Sequence, residues 1–127
     1  MRRALLFLVA LVLPTTGCLA AAAAGAAGGI YLTSRGAESV VQGSVDQVAA
    51  RAEAVMSEMG IVKEGESTED QGDKQVLKGK KDDLDVTIEV RRESPTTAKV
   101  EVTARENVAE WDKDYAKEVL NRIVQKG

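Results

Sequence analysis

Leu84, Val86, Ile88 and Val90 alternate with Asp85, Thr87, Glu89 and Arg91, and no other stretch of the chain narrows its fold so sharply. A period of two sends the apolar side chains to one face of a strand and the polar ones to the other, so the strand belongs to a sheet with one dry and one wet face. Glu93-Ser94-Pro95-Thr96 then turns the chain. Ala98, Val100, Val102 and Ala104 alternate with Lys99, Glu101 and Thr103 as the partner strand. Small residues at Ala98 and Ala104 on the dry face call for a covering helix that approaches closely.

Two segments have the other period. Ser44 reads as a helix N-cap with Gln47 completing a capping box, and Val45, Val48, Ala52, Val55, Met56 and Met59 recur at three- and four-residue spacing. Gly60 suits the position just past the end of that helix. A second amphipathic segment runs from about Ala109 to Gln125, with Trp111, Tyr115, Val119 and Ile123 in one stripe flanked by Ala116 and Leu120. Trp111 and Tyr115, two of only four aromatic residues, are expected to seal the core against the sheet. Glu38 to Gln42, Ile61 to Ser67 and Lys74 to Lys80 complete the strands, and Lys81-Asp82-Asp83 reads as a hairpin turn. The fold class that follows is α+β: a two-layer sandwich with an antiparallel sheet of four or five strands and two amphipathic helices on one face.

The N-terminal third has a different character. Met1-Arg2-Arg3 precedes the apolar run Ala4 to Leu13, and this reads as the basic head and apolar core of an export signal. The run is too short to span a bilayer, which takes about 20 apolar residues. Pro14-Thr15-Thr16-Gly17-Cys18 resembles the lipobox of bacterial lipoproteins, with small Gly17 before the cysteine and Thr15 where leucine is usual. The resemblance implies cleavage between Gly17 and Cys18 and acylation of Cys18, the only cysteine in the chain. One acyl chain binds a membrane only marginally, and two or three on one residue make the attachment lasting. An uncleaved segment continuing through the uncharged Ala/Gly tract to Ser34 is the competing reading. The organisation expected is a signal peptide over 1–17, an anchor and spacer over 18–36, and one α+β domain over 37–127.

This arrangement resembles a family of small bacterial lipoproteins of unassigned function. The matching parts are Ser44-Val45-Asp46 through Met59-Gly60, the Leu84–Val90 and Ala98–Ala104 strands, and Tyr115 through Val124. The resemblance implies a location in the bacterial cell envelope, on a membrane outside the cytoplasm. Leu19 after the cysteine, where Asp is untypical of outer-membrane lipoproteins, points to the outer membrane.

Composition limits the chemistry. The chain has no histidine, so acid–base work would fall to carboxylates, Lys or Tyr, and the serines and threonines lack a histidine base. Net charge is -3, and -5 once Arg2 and Arg3 leave with the signal, which gives no electrostatic reason to bind nucleic acid. Glu64, Glu66, Glu69, Asp70 and Asp73 could attract calcium, but they do not follow the EF-hand pattern and read as a solvated turn. Lys78 to Lys81 is balanced by Asp82 and Asp83. No catalytic residue, cofactor site or metal site is expected. What remains is a non-catalytic structural or protein-interaction domain on a membrane anchor, or else a small-ligand or lipid-binding module with its ligand between sheet and helices.

Overall fold

The computed structural model describes residues 29–127. The expected signal peptide over 1–17, with Gly17, and Cys18, Leu19 and the Ala/Gly tract up to residue 28 lie outside the described residues.

The chain forms a short strand β1 (Tyr31–Leu32), β2 (Gly36–Gln42), helix α1 (Val45–Glu58), β3 (Val62–Glu69), a 3₁₀ turn (Asp70–Gly72), β4 (Lys74–Lys81), β5 (Leu84–Ser94), β6 (Thr97–Arg105) and helix α2 (Lys113–Lys126). All strand pairs are antiparallel, in the order β1-β2-β6-β5-β4-β3. The architecture is the expected α+β class, with six strands in place of four or five. The additional strand is β1, from a stretch whose composition reads as spacer, and β2 begins at Gly36. Gly36 crosses β6 so closely that a Cβ there would collide with the Val102 carbonyl oxygen. Among the described residues no helix is long and apolar enough to cross a membrane.

Local chemistry explains the elements. Ser44 Oγ accepts from the Gln47 amide at 3.2 Å while Gln47 Oε1 accepts from the Ser44 amide at 3.0 Å, so the capping box closes as the sequence predicts. Gly60, at φ +72°, takes the left-handed turn that ends α1. Pro95 and Thr96 make the β5–β6 turn, where Ser94 Oγ accepts from the Thr96 and Thr97 amides at 3.2 and 3.1 Å.

Register then assembles the core. Across the middle of the sheet Ser39 opposes Val100, which opposes Val90; Ala37 opposes Val102, which opposes Ile88 and then Leu77. Both helices cover this face, and Val48, Ala52, Val55, Val119, Leu120 and Ile123 are sealed from solvent with it. Ala98 and Ala104 are fully buried, as the close approach of a helix requires. Ser39, the one buried polar residue among those described, donates its hydroxyl to the Gly29 carbonyl at 2.8 Å. The dry face ends at β4: on β3 the same side carries Lys63, Glu66 and Thr68, and a bulge between Lys63 and Gly65 breaks the ladder. Lys63 bonds Glu53 of α1 at 2.6 Å and Glu66 at 2.7 Å. A charged, bulged edge strand discourages pairing with another chain.

One expectation fails. Helix α2 starts at Lys113, capped by the Asp112 carboxylate, which accepts from the Tyr115 amide at 2.9 Å. Trp111 therefore precedes the helix and pairs with Arg105 as an isolated bridge, on the wet side of the sheet. Only Tyr115 packs against the core. A helical stripe drawn through Trp111 assumes a helix there, and the Asp112 cap breaks that assumption.

Candidate functional site

Among the described residues the face of the sheet turned away from the helices is left open, and register sorts its side chains into rungs. Glu38, Glu101 and Glu89 lie side by side on β2, β6 and β5. One rung along, Lys99, Arg91 and Lys74 lie side by side on β6, β5 and β4. Like charges directly opposite one another across strands are destabilising, and here the cationic rung compensates the acidic one. Arg91 donates to Glu89 at 2.7 Å, Lys74 lies 3.7 Å from the same carboxylate, and Lys99 lies 3.5 Å from Glu38. The bond from Glu89 holds the Arg91 guanidinium above its ordinary value. Glu101, in the middle of the acidic rung, forms no ion pair among the described residues. It borders a depression of about 230 Å³ with Glu89, Arg91 and Lys99.

At one end of this face the chemistry changes. The loop after β6 is folded on itself: Asn107 Oδ1 accepts from the Ala109 and Glu110 amides at 2.9 and 3.0 Å, and Glu106 N donates to the Glu110 carbonyl at 2.9 Å. Arg105 donates from Nε to the Asn107 carbonyl at 2.9 Å and from Nη2 to the Val108 carbonyl at 3.1 Å. These bonds and the Asp112 amide on the Ala104 carbonyl at 2.7 Å fix Trp111 beside β6. Arg35 and Arg105 each place a guanidinium carbon 5.4 Å from the centre of the indole ring, within cation–π reach. A groove of about 260 Å³ runs from Trp111 past Thr103, Thr87 and Lys78 to Glu64.

The residues singled out as a conceivable calcium cluster do not converge. Glu66 is bound by Lys63, Glu69 lies 3.3 Å from Lys74, and Asp73 lies 3.5 Å from Arg92. Among the described residues no group of three or more acidic side chains is disposed to hold a metal ion. In the Lys78–Asp83 segment, Lys80 pairs with Asp85 at 3.2 Å, across the strand from it rather than in the turn. That bond raises the Lys80 ammonium above its ordinary value. The hydroxyl of Tyr115 is buried without a hydrogen-bond partner among the described residues, and burial pushes the phenol up from its ordinary 10.0.

The wet side of β5 and β6 is legible in the alternation. Its rungs are not, because they depend on how β2, β4, β5 and β6 are aligned. The Arg35–Trp111–Arg105 cluster left no periodic signal at all, since Arg35 and Trp111 come from two irregular segments far apart in sequence.

Comparison with family models, curated proteins and solved structures finds nothing that matches this chain.

Proposed function

We propose that the chain is a membrane-anchored lipoprotein of the bacterial cell envelope whose small α+β domain is a non-catalytic interaction module. In this reading Cys18 carries the acyl anchor, and the open face of the sheet receives a protein partner. The observation that carries the interaction half is the pair of charged rungs, Glu38-Glu101-Glu89 beside Lys99-Arg91-Lys74, on a face that neither helix of the described residues covers. Alternating charge of this kind selects a partner and its orientation more than it supplies affinity. Glu101, without an ion pair among the described residues, offers its carboxylate to a partner's cation. The space between sheet and helices is filled by valine, alanine, leucine and isoleucine side chains, which weighs against a ligand held there. The sequence carries the anchor half, through Arg2-Arg3, Ala4 to Leu13 and Gly17-Cys18. Outer-membrane placement follows from Leu19 as part of the same proposal.

A second reading has one observation in its favour. The groove beside Trp111 combines an indole with Thr87, Thr103 and Lys78 and could seat a small polar ligand on the open face.

The test is the intact mass of the chain extracted from membranes, wild type beside Cys18→Ser. The proposal expects a wild-type mass lacking residues 1–17 and carrying acyl chains, with both features lost in the variant. A full-length, unacylated wild type contradicts it.

A further inference from the structure

Among the described residues, the four large apolar side chains left exposed all lie at one end of the sheet. Tyr31 and Leu32 lie on β1 opposite Glu38 and Ala37, near the start of β2; Val62 opens β3; Val108 stands in the loop after β6. Val108 is 83% exposed and Val62 67%, so neither belongs to the core. In the antiparallel sheet the start of β2, the end of β6, the start of β5, the end of β4 and the start of β3 coincide. The last rung across that end reads Val62, Lys80, Asp85, Arg105 and Trp111. At the other end lie Gly43-Ser44, the Asp70–Gly72 turn and Glu93 to Thr96, polar but for Pro95. The four exposed apolar side chains are spread along their end from one edge strand to the other, so what they fit is a flat surface rather than a single pocket.

Three features of this end fit one occupant. An indole held between Arg35 and Arg105, and a phenol on β1, are side chains of the kind that settle at the headgroup level of a bilayer. Charges of both signs alternate there: Arg35, Lys80, Lys81 and Arg105 among Asp82, Asp83, Asp85, Glu106 and Glu110. That mixture matches zwitterionic headgroups, each a phosphate beside an ammonium, and gives no net pull toward an anionic surface. The third feature is where the chain enters. Gly29, held by Ser39, sits three residues in from the start of β2, and β1 runs from there toward this end. In the anchored reading eleven residue steps join Cys18 to Gly29, and a chain of that length reaches at most about 40 Å.

We infer that this end of the sheet is a lipid-docking rim, with Leu32, Val62, Val108 and Trp111 resting on the zwitterionic headgroup layer of the membrane that holds the chain. The inference rests on the anchored reading for its geometry. Docking by the rim leaves the charged rungs of the open face standing off the bilayer, within reach of a partner.

Trp111 is the only tryptophan, so its fluorescence reports the rim alone. The full chain extracted from membranes is placed in phosphatidylcholine–phosphatidylethanolamine nanodiscs, with and without bromine on the acyl chains. Emission is expected to fall about twofold in the brominated discs, as for an indole at the interface. The double variant Leu32→Asp, Val108→Asp changes only exposed positions and is expected to abolish that loss. An unquenched Trp111 in the wild type overturns the rim, and so does quenching that survives the double variant. Intact mass on the same samples decides the anchor separately. An acylated chain with unquenched Trp111 leaves the anchor and removes the rim. An unacylated chain removes the anchor, and its quenching in the discs still decides the rim.

Discussion

The two faces of one sheet differ more than any two elements of this molecule. On β6, Val100 and Val102 point to the helices and are sealed from water, whereas Lys99, Glu101 and Thr103, their immediate neighbours in the chain, line the open face half-exposed. The dry face is held by burial, worth about 25 cal/mol per Å² of apolar surface and indifferent to salt. The wet face is held by nothing comparable: its ion pairs, such as Arg91 with Glu89 and Lys99 with Glu38, are half-exposed and screened by ordinary salt. Stability is therefore concentrated on one side of the sheet, and the other side is free to vary in composition without loss of the fold. A charged pattern kept on a face that folding does not need is a pattern available for contact.

The sharpest way to break the comparison is a pair of substitutions at adjacent positions. Ile88→Ala empties a fully buried site and should cost about 3 kcal/mol, whereas Glu89→Ala on the open face should stay within about 0.5 kcal/mol, both read by urea unfolding. Equal costs would dissolve the distinction between the faces. A smaller effect belongs to the helix that closes the dry face: Ser44→Ala removes half of the capping box and should cost about 1 kcal/mol by the same measurement.

Tyr115 sharpens the account at the margin of the core. Burial holds its phenol above the ordinary 10.0, so the folded chain keeps a proton that the unfolded chain releases. The sign follows directly: stability is unaffected well below pH 10 and declines as pH rises past it. Tyr115→Phe should be neutral or slightly stabilising at pH 7, because the hydroxyl has no partner to lose, and should flatten the alkaline decline. A marked loss of stability at pH 7 would mean that the hydroxyl has a partner in solution. Arg91→Glu with Lys99→Glu sets five carboxylates against Lys74 on the open face and should cost about 1 kcal/mol, well short of Ile88→Ala, because the face stays solvated.

Much of the fold was legible because its signals are local. The capping box at Ser44 and Gln47, the left-handed Gly60, and the alternation on β5 and β6 each need only a few consecutive residues to be read. Strand β1 was not legible, since the short run Ile30-Tyr31-Leu32 between Gly29 and Thr33 shows no alternation, and only pairing with Ala37 and Glu38 makes Tyr31 and Leu32 a strand. Trp111 misled for a related reason. It falls in phase with Tyr115 and Val119, but the Asp112 cap starts the helix two residues later and leaves the indole to the other side of the sheet. The charged rungs were half legible. Their side chains were recognisably on a wet face, but their mutual alignment is a property of four strands together. The proposal that Cys18 carries an anchor rests on sequence alone.

The open face as the working face is tested most directly by photo-crosslinking in membranes. A photoreactive residue is placed at position 101, between Glu38 and Glu89, and in a parallel sample at position 117, on the exposed side of α2. The account predicts a discrete adduct from position 101 that position 117 does not give and that Arg91→Glu with Lys99→Glu removes. No adduct from position 101, or the same adduct from both positions, would contradict it.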